Sequence, residues 1–584
     1  MNHPIFSKKS FLSISVFLFV IFVFTPVYFG HFAFHNDYRI WEYDHTNFWF
    51  GYPESQHLFS IGRPLGMLLL NLQLMPIQTM HGVWLNQLLN VAAIGFLAVC
   101  CFLFFQRHIR IERFSAILLS ILLVSLPSMT INAIWLTNLV PCIIPLFFAL
   151  AAQSLMQRSH PAYVQAGLLL LLALLIYPPA TLFFTTLTFA KFIFGPLDPT
   201  QVSLKRIAKE LFLVVSLCII YFLFIKLLKS FLLATHFAGI DWTGVYGGID
   251  HSLSQYRLEL NLDLLDKLAQ IKNYLIFVFS AWFPLLSWTT VLGVMSGFLF
   301  FILYALQSNV YLSLLKNPVK TLVGIGLMLI LMGITALPLL AGPAVYPVNY
   351  RVTFASMAII PITLVFMMNQ LLNKKDASKW LVGLISLCLC FFVAAESASQ
   401  FRLSRVVTRL TQEYEKIKST IDIKMGKHIQ TINIQRPVVL EDPFWLNADF
   451  GLDATSYVMV GQIKQILAER HQDLKDYKLN YGSEFLPDPH AILISKAEGI
   501  TPAPQITQKN IQGTWYYFGN LTTITYGKQK LLITNEFKMS SPFIIKHGTL
   551  LYVPDWNCTA TLSKNRQVLY WDNGTVWTRS KVPK

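Results

Sequence analysis

Long apolar runs separated by short basic connections occupy about the first two thirds of this 584-residue chain. A helix needs about 20 apolar residues to cross the hydrocarbon core of a bilayer, and many of the runs approach or exceed that length. The pattern therefore predicts an α-helical polytopic membrane protein with about 11 transmembrane helices. The predicted spans are residues 11–34, 84–105, 115–136, 140–156, 164–176, 180–194, 211–228, 274–306, 322–340, 352–372 and 380–395.

Basic residues beside the runs set the predicted orientation. Lys8 and Lys9 place the amino terminus in the cytoplasm, because cytoplasmic loops of membrane proteins carry an excess of Lys and Arg. The loop of residues 36–63 then lies outside, and the later basic connections fall on the cytoplasmic side. Run 274–306 contains Pro284 and is counted as one crossing. Counting it as two crossings places the tail inside instead.

Two shorter patterns interrupt the series of spans. Residues 65–77 are too few to cross at full thickness and predict a helix in the outer interface. Residues 164–176 and 180–194 form a pair of short runs, broken by Tyr177-Pro178-Pro179. We expect two separate helices there.

The periodicity changes after residue 395, where the apolar runs shorten and charges alternate with them. Helices are predicted at residues 403–425 and 457–469, strands at 431–434 and 438–440, and a β-rich segment after residue 511. The chain therefore divides into a membrane domain, residues 1–400, and an extracytoplasmic α+β domain, residues 401–584. The tail contains no nucleophile elbow, phosphate loop or metal-ligand spacing.

Composition narrows the function classes. The chain is 54% hydrophobic and has a formal net charge of +16. Many of its basic residues lie in the connections between runs, so we expect no nucleic-acid role. Only Cys558 lies in the predicted soluble tail, where it has no cysteine partner for a disulfide or a zinc site.

The first predicted outer loop concentrates ionisable and aromatic groups in a chain of which only 13% is charged. Residues 35–45 read His-Asn-Asp-Tyr-Arg-Ile-Trp-Glu-Tyr-Asp-His, and Gly-Arg-Pro-Leu follows at residues 62–65. Clustered titratable groups at a membrane surface are typical of functional sites. This loop is therefore the predicted location of the chemistry.

These residue types suit glycosyl transfer from a lipid phosphate. The reaction needs a carboxylate to take a proton from the acceptor hydroxyl, and cations to hold the leaving phosphate. Asp37 is the candidate base, and Glu42 and Asp44 are the other carboxylates of the loop. Arg63 and Arg351, each at the outer end of a predicted apolar segment, are the candidate phosphate ligands.

Two further residues are candidate contacts of the acceptor. Arg257 lies in the second large outer loop, and Trp41 lies in the first. Interfacial aromatic residues commonly form a belt at the membrane surface, and interfacial charges commonly pair with one another or with headgroups. Those structural roles remain the alternative for each candidate.

The order of these motifs resembles a known family. Phe34-His35-Asn36-Asp37-Tyr38-Arg39, then Gly62-Arg63-Pro64-Leu65, and a late Tyr350-Arg351 are similar to motifs of the bacterial glucosyltransferase II family. These O-antigen-modifying enzymes belong to the polytopic GT-C superfamily. The resemblance covers residues 10–425. The family often has two adjacent acidic residues where this chain has Asn36-Asp37, so only Asp37 carries over and a divalent metal is not supported.

The resemblance implies a function and a location. It implies a sugar donor linked to undecaprenyl phosphate, glucose as the sugar, and inverting transfer on the periplasmic side of the bacterial inner membrane. The acceptor is a surface glycan such as lipopolysaccharide O antigen, no cofactor is expected, and a partner flippase can supply the donor. An O-antigen polymerase or ligase, and a polytopic transporter or flippase, remain the alternatives.

Overall fold

The fold is that of a computed structural model, whose elements fall into two compact units. Helices up to Leu372 form the first unit, and the elements from residue 411 onward form the second. The described residues are 8–29, 49–50, 55–60, 62–77, 80–109, 111–134, 142–158, 162–194, 201–235, 237–240, 242, 271–272, 274, 278, 326, 353–372, 411, 414–423, 429–435, 463–467, 470, 476–482, 491–495, 506–517, 520–526, 531–535, 538–546, 550–556, 558–562, 566–571 and 576–579.

The described part of the first unit is helical. A π-helical turn at Phe105–Ile109 extends α5, and a 3-10 turn at Phe237–Gly239 follows α12. The α-helices are α1 Lys8–Val23, α2 Thr25–Phe29, α3 Ser55–Ser60, α4 Pro64–Leu74, α5 Met80–Phe104, α6 Arg113–Val124, α7 Pro127–Ile134, α8 Ile144–Met156, α9 Tyr163–Ile176, α10 Pro178–Thr181, α11 Phe183–Phe194, α12 Gln201–Ala234, α13 Phe354–Met357 and α14 Ile359–Leu372.

Two described helices are long and apolar enough to cross a membrane. They are Gly82–Ile109, with 28 residues, and Lys205–Ala234, with 30 residues. The remaining apolar helices among the described residues have 10–17 residues. The helical character of this part of the chain agrees with the sequence pattern, whereas the expected number of 11 spans stays a prediction.

Proline determines where several helices end. The run 115–136 was expected to form one helix, but α6 ends at Val124 and α7 begins at Pro127. Proline has no N–H and disfavours helical geometry in the residue before it, which explains this break. Pro26 lies next to the break between α1 and α2 in the same way. The predicted break at Tyr177 is confirmed after α9, whereas the run 180–194 is divided at Leu182 between α10 and α11.

Small residues allow the helices of the first unit to pack closely. Helices α8 and α9 form the most extensive contact, and Ala149 and Ala152 on α8 are fully buried, as are Ala166 and Ala173 on α9. Helix α11 packs against α8, and α14 packs against α11 and α6. Helix α12 packs against α9. This arrangement positions the turn between α3 and α4 and the break after α9.

The second unit contains two sheets. The three-stranded sheet is parallel with order β2-β1-β3, and Thr431 aligns with Lys478 on one side and Ala491 on the other. The nine-stranded sheet is antiparallel with order β7-β6-β5-β4-β12-β11-β10-β9-β8. The strands are β1 Thr431–Gln435, β2 Lys478–Gly482, β3 Ala491–Ser495, β4 Gly513–Tyr517, β5 Asn520–Tyr526, β6 Leu531–Thr534, β7 Ser540–Pro542, β8 Ile544–Lys546, β9 Leu550–Val553, β10 Cys558–Leu562, β11 Val568–Trp571 and β12 Val576–Thr578.

The predicted α+β pattern of the tail agrees with these elements where the structure describes them. Strand 431–434 is confirmed as β1, and residues 414–423 and 463–467 are helical as expected. The predicted strand 438–440 lies outside the described residues.

The nine-stranded sheet has one apolar face that forms its own core. Side chains of a strand alternate between two faces, and in β9 Leu551 and Val553 are both fully buried. They pack with the indoles of Trp515 and Trp577. The guanidinium of Arg579 lies 4.2 Å from the ring centre of Trp515. Burial lowers the pKa of Arg579, but a guanidinium stays charged at neutral pH, so this contact is a cation–π interaction.

Candidate functional site

The Gly-Arg-Pro-Leu motif forms the turn between α3 and α4. The N–H of Gly62 donates to the carbonyl of Phe59, and the N–H of Arg63 donates to the carbonyl of Leu58, both at 3.0 Å. This pair of bonds is a Schellman motif, in which a residue with positive φ ends the helix. Gly62 has φ of +80°. Pro64 occupies the first turn of α4, where its missing N–H costs no hydrogen bond.

Arg63 lies between the end of one helix and the start of the next, and it contacts an aromatic ring. Its guanidinium carbon lies 4.6 Å from the ring centre of Tyr177. Tyr177 is buried and has extended backbone angles, φ −158° and ψ 99°, because Pro178 follows it. The break after α9 therefore supplies the surface on which Arg63 stacks.

Helices α9 and α12 support this turn closely. The hydroxyl of Tyr221 donates to the carbonyl of Gly62 at 3.1 Å. A methyl group added at Gly62 would lie 2.3 Å from Cγ1 of Ile225, and one added at Gly66 would lie 2.8 Å from the carbonyl oxygen of Ile176. Neither glycine has room for a side chain, so the turn is held against both helices.

A buried polar chain holds α4 to the end of the loop that precedes α3 and to the first residue of α3. The hydroxyl of Ser55 donates to the side-chain oxygen of Asn71 at 2.8 Å. The amide nitrogen of Asn71 donates to the carbonyl of Trp49 at 2.6 Å. Phe50 and Trp242 pack beside this chain, with ring centres 5.8 Å apart. The described end of the loop is therefore fixed against α4.

Of the predicted site residues, Arg63 is the one that the structure describes. The candidate catalytic carboxylates Asp37, Glu42 and Asp44 lie outside the described residues. So do the phosphate candidate Arg351 and the acceptor candidates Arg257 and Trp41.

The segment that begins two residues after Arg351 packs near the break that follows Tyr177. Helix α13, which starts at Phe354, contacts α10 and α11. The hydroxyl of Thr186 on α11 donates to the carbonyl of Ala355 at 2.7 Å, and the rings of Phe183 and Phe354 have centres 5.2 Å apart. Helix α10 begins directly after Tyr177. Tyr177, which contacts Arg63, therefore directly precedes α10 in sequence, and α13, which follows Arg351 in sequence, contacts α10.

Helices α8, α11 and α12 share a buried ionic network that the sequence pattern did not predict. Glu210 on α12 is fully buried, and its carboxylate forms salt bridges with Lys191 and with Arg206. The same carboxylate accepts hydrogen bonds from Gln153 and Thr188, each at 3.1 Å. Glu210 lies with Lys205, Arg206 and Lys209 in the basic connection between the predicted spans 180–194 and 211–228, so the linear pattern does not mark it as a buried acid.

One local signal could have located this network. Arg206 precedes Glu210 by four residues, and this spacing places the two side chains on one helix face. The other three partners lie 19, 22 and 57 residues away in sequence, so their participation depends on helix packing. Arg206 also donates a hydrogen bond to the carbonyl of Met156, the last residue of α8.

No group of three metal-ligating side chains is found among the described residues.

Comparisons of the chain with protein-family models, with curated proteins and with solved structures found no match.

Proposed function

We propose that this protein is a membrane glycosyltransferase of the GT-C type, with about 11 transmembrane helices. It moves a hexose, glucose in the first instance, from undecaprenyl phosphate to a periplasmic glycan such as lipopolysaccharide O antigen. The amino terminus lies in the cytoplasm of a bacterium, and the tail lies in the periplasm.

The position of Arg63 is the observation that carries the proposal. The guanidinium of Arg63 lies over the ring of Tyr177, beside the turn between α3 and α4. A guanidinium can donate paired N–H groups to two phosphate oxygens. Preorganised donors of this kind stabilise charge that develops in a transition state. Arg351 supplies the second cation in this proposal.

The dimensions of α12 suit a membrane span. Lys209 and Lys226 are 17 residues apart, which corresponds to about 26 Å along a helix. The hydrocarbon core of a bilayer is about 30 Å thick, so the ammonium group of Lys209 can reach one surface of the core and that of Lys226 the other. Both lysines are exposed, as is the apolar residue Phe212 between them.

In the proposed reaction Asp37 takes the proton from the acceptor hydroxyl. The oxygen of that hydroxyl attacks the anomeric carbon of the sugar as the bond from this carbon to the phosphate oxygen breaks. Undecaprenyl phosphate leaves with its charge stabilised by Arg63 and Arg351, and the configuration at the anomeric carbon inverts. Phosphate is a good leaving group when cations stabilise it, so no dedicated acid is needed.

Deletion of the gene followed by mass spectrometry of the surface glycan tests this function. We expect the glycan of the deletion strain to lose one hexose per repeat, with no change in chain length. Wild-type protein should restore the hexose, whereas Asp37→Asn should accumulate in the membrane without restoring it. The matched controls Glu42→Gln and Asp44→Asn should restore most of it.

Other outcomes identify the alternatives. A shortened glycan with unmodified repeats would indicate a polymerase or ligase and contradict the proposal. An unchanged glycan would also contradict it. Full activity of Asp37→Asn with loss in Glu42→Gln would assign the base to Glu42.

A further inference from the structure

Exposed cations gather at one end of the contact between α8 and α12. Lys205 and Lys209 are exposed on the first turns of α12. Arg206 is bonded to the carbonyl of Met156, and the exposed Arg158 follows Met156 by two residues. We call these four residues, Arg158, Lys205, Arg206 and Lys209, the basic rim.

Among the described residues, Glu210 is the carboxylate that forms salt bridges beside the basic rim, and it balances one positive charge. Glu210 is fully buried and contacts both Arg206 and Lys191. One carboxylate cannot neutralise two cations, so this inner group keeps a net positive charge. Lys205 and Lys209 add two further charges on the exposed face of the same helix. An anionic partner is therefore favoured at the basic rim.

The same face of α12 continues from these lysines as an exposed apolar stripe. At 100° per residue, Lys205, Lys209, Phe212, Ile219 and Leu223 fall within a sector of about 80°. The three apolar residues are 74%, 56% and 54% exposed. From the first to the third of them the stripe is about 16 Å long, which is close to the thickness of one leaflet's hydrocarbon.

We propose that the basic rim binds the headgroup of an anionic phospholipid whose acyl chains lie along Phe212, Ile219 and Leu223. Lys205 and Lys209 contact the phosphate from α12, and Arg158 contacts it from the end of α8. Basic pockets between helices on the cytoplasmic side of membrane proteins bind such headgroups. The lipid bridges α8 and α12, and neither its binding nor its test depends on glycosyl transfer.

Titration of the full-length protein in a neutral detergent tests this proposal. Dioleoyl phosphatidylglycerol should raise the midpoint of thermal unfolding, whereas dioleoyl phosphatidylcholine should leave it unchanged. The double variant Lys205→Gln/Lys209→Gln should bind phosphatidylglycerol about 30-fold more weakly, because each surface lysine contributes about fivefold toward anionic lipid. Arg158→Gln should weaken binding about fivefold.

The other end of α12 provides a matched control. Lys226→Gln/Lys229→Gln removes the same charge from the same helix and should keep the affinity of the wild type. If the two double variants lose the same affinity for phosphatidylglycerol, lipid binding depends on net charge alone, and the proposed site is overturned. An equal response to phosphatidylcholine would also overturn it. If glycerol 3-phosphate raises the midpoint of thermal unfolding as much as phosphatidylglycerol does, the basic rim binds a soluble phosphate instead.

Discussion

At the scale of single residues, each position of the Gly-Arg-Pro-Leu motif has a local physical role. Gly62 ends α3 with a positive φ, Pro64 starts α4, and Arg63 lies between them against Tyr177. The motif therefore combines a structural turn with a fixed cation. A substitution can separate these two roles, because the turn depends on Gly62 and the proposed phosphate contact depends on Arg63.

Gly62→Ala tests the turn. Alanine at φ of +80° is strained, and its methyl group meets Ile225 at 2.3 Å, so we expect a loss of about 1–3 kcal/mol in stability. Thermal unfolding in detergent measures it. Gly167→Ala is the control, because its methyl group meets nothing closer than 3.7 Å inside α9. Equal midpoints for the two variants would show that the turn tolerates a side chain.

Arg63→Lys tests the phosphate contact. Lysine keeps the charge and can still lie over Tyr177, but it lacks the paired donors of a guanidinium. We expect transfer to fall about tenfold or more while the thermal midpoint changes little. Tyr177→Leu, the control, removes the stacking surface and should lower the thermal midpoint as well. Wild-type activity in Arg63→Lys would remove the phosphate assignment.

At the scale of elements, Glu210 and its partners link three helices through charge and hydrogen bonds. Lys191 belongs to α11, Gln153 to α8, and Arg206 to α12 itself. A buried ion pair is costly to desolvate, but removing one partner leaves the other charge uncompensated. The network therefore penalises any displacement of these helices that separates the pair.

Glu210→Gln measures this penalty. The amide keeps the size of the side chain but leaves Lys191 and Arg206 without a counter-charge, so we expect a loss of about 3–5 kcal/mol in stability. Unfolding of the purified protein in lipid-free detergent reports it. Lys226→Gln, an exposed change on the same helix, should alter stability by less than about 0.5 kcal/mol.

Adding Lys191→Met to the Glu210→Gln variant refines that experiment. Removal of the unpaired ammonium should recover part of the lost stability, since two apolar or neutral groups can replace a buried pair. Failure of the second change to recover any stability would indicate that the carboxylate acts mainly through Gln153 and Thr188.

At the scale of the whole molecule, the proposed reaction requires the first loop and the tail to lie on the same side of the membrane. This follows from counting residues 274–306 as a single crossing. The tail has two sheets and an apolar core of its own. Its location outside the cytoplasm stays a prediction.

Reporter fusions test that arrangement. An enzyme that is active only outside the cytoplasm should work when fused after Ala395 or within residues 47–60. The same enzyme should be silent after Lys375, because the preceding basic connection is expected to remain in the cytoplasm. Activity after Lys375 would overturn the predicted number of spans.

The local features of this protein follow from its linear sequence. Apolar periodicity located α4, the pair α9 and α11, and strand β1, and the Tyr177-Pro178-Pro179 sequence located the break between helices. These features follow from hydrogen bonding and proline geometry within a few residues, so a linear pattern contains them. Pro127 likewise marks a helix boundary, but it lies within the long apolar run 115–136, which was predicted to be a single span.

The contacts between distant residues depend on the tertiary fold. Arg63 stacks on Tyr177, which lies more than 100 residues later, and Glu210 joins Gln153 and Lys191 from two other helices. The strand order that pairs β4 with β12 is equally remote from the local pattern. Such contacts depend on how helices and strands pack, and packing is selected by the shape and charge of whole surfaces. Hydrophobic periodicity assigns each residue to a face of its own element, and the fold then determines what that face touches.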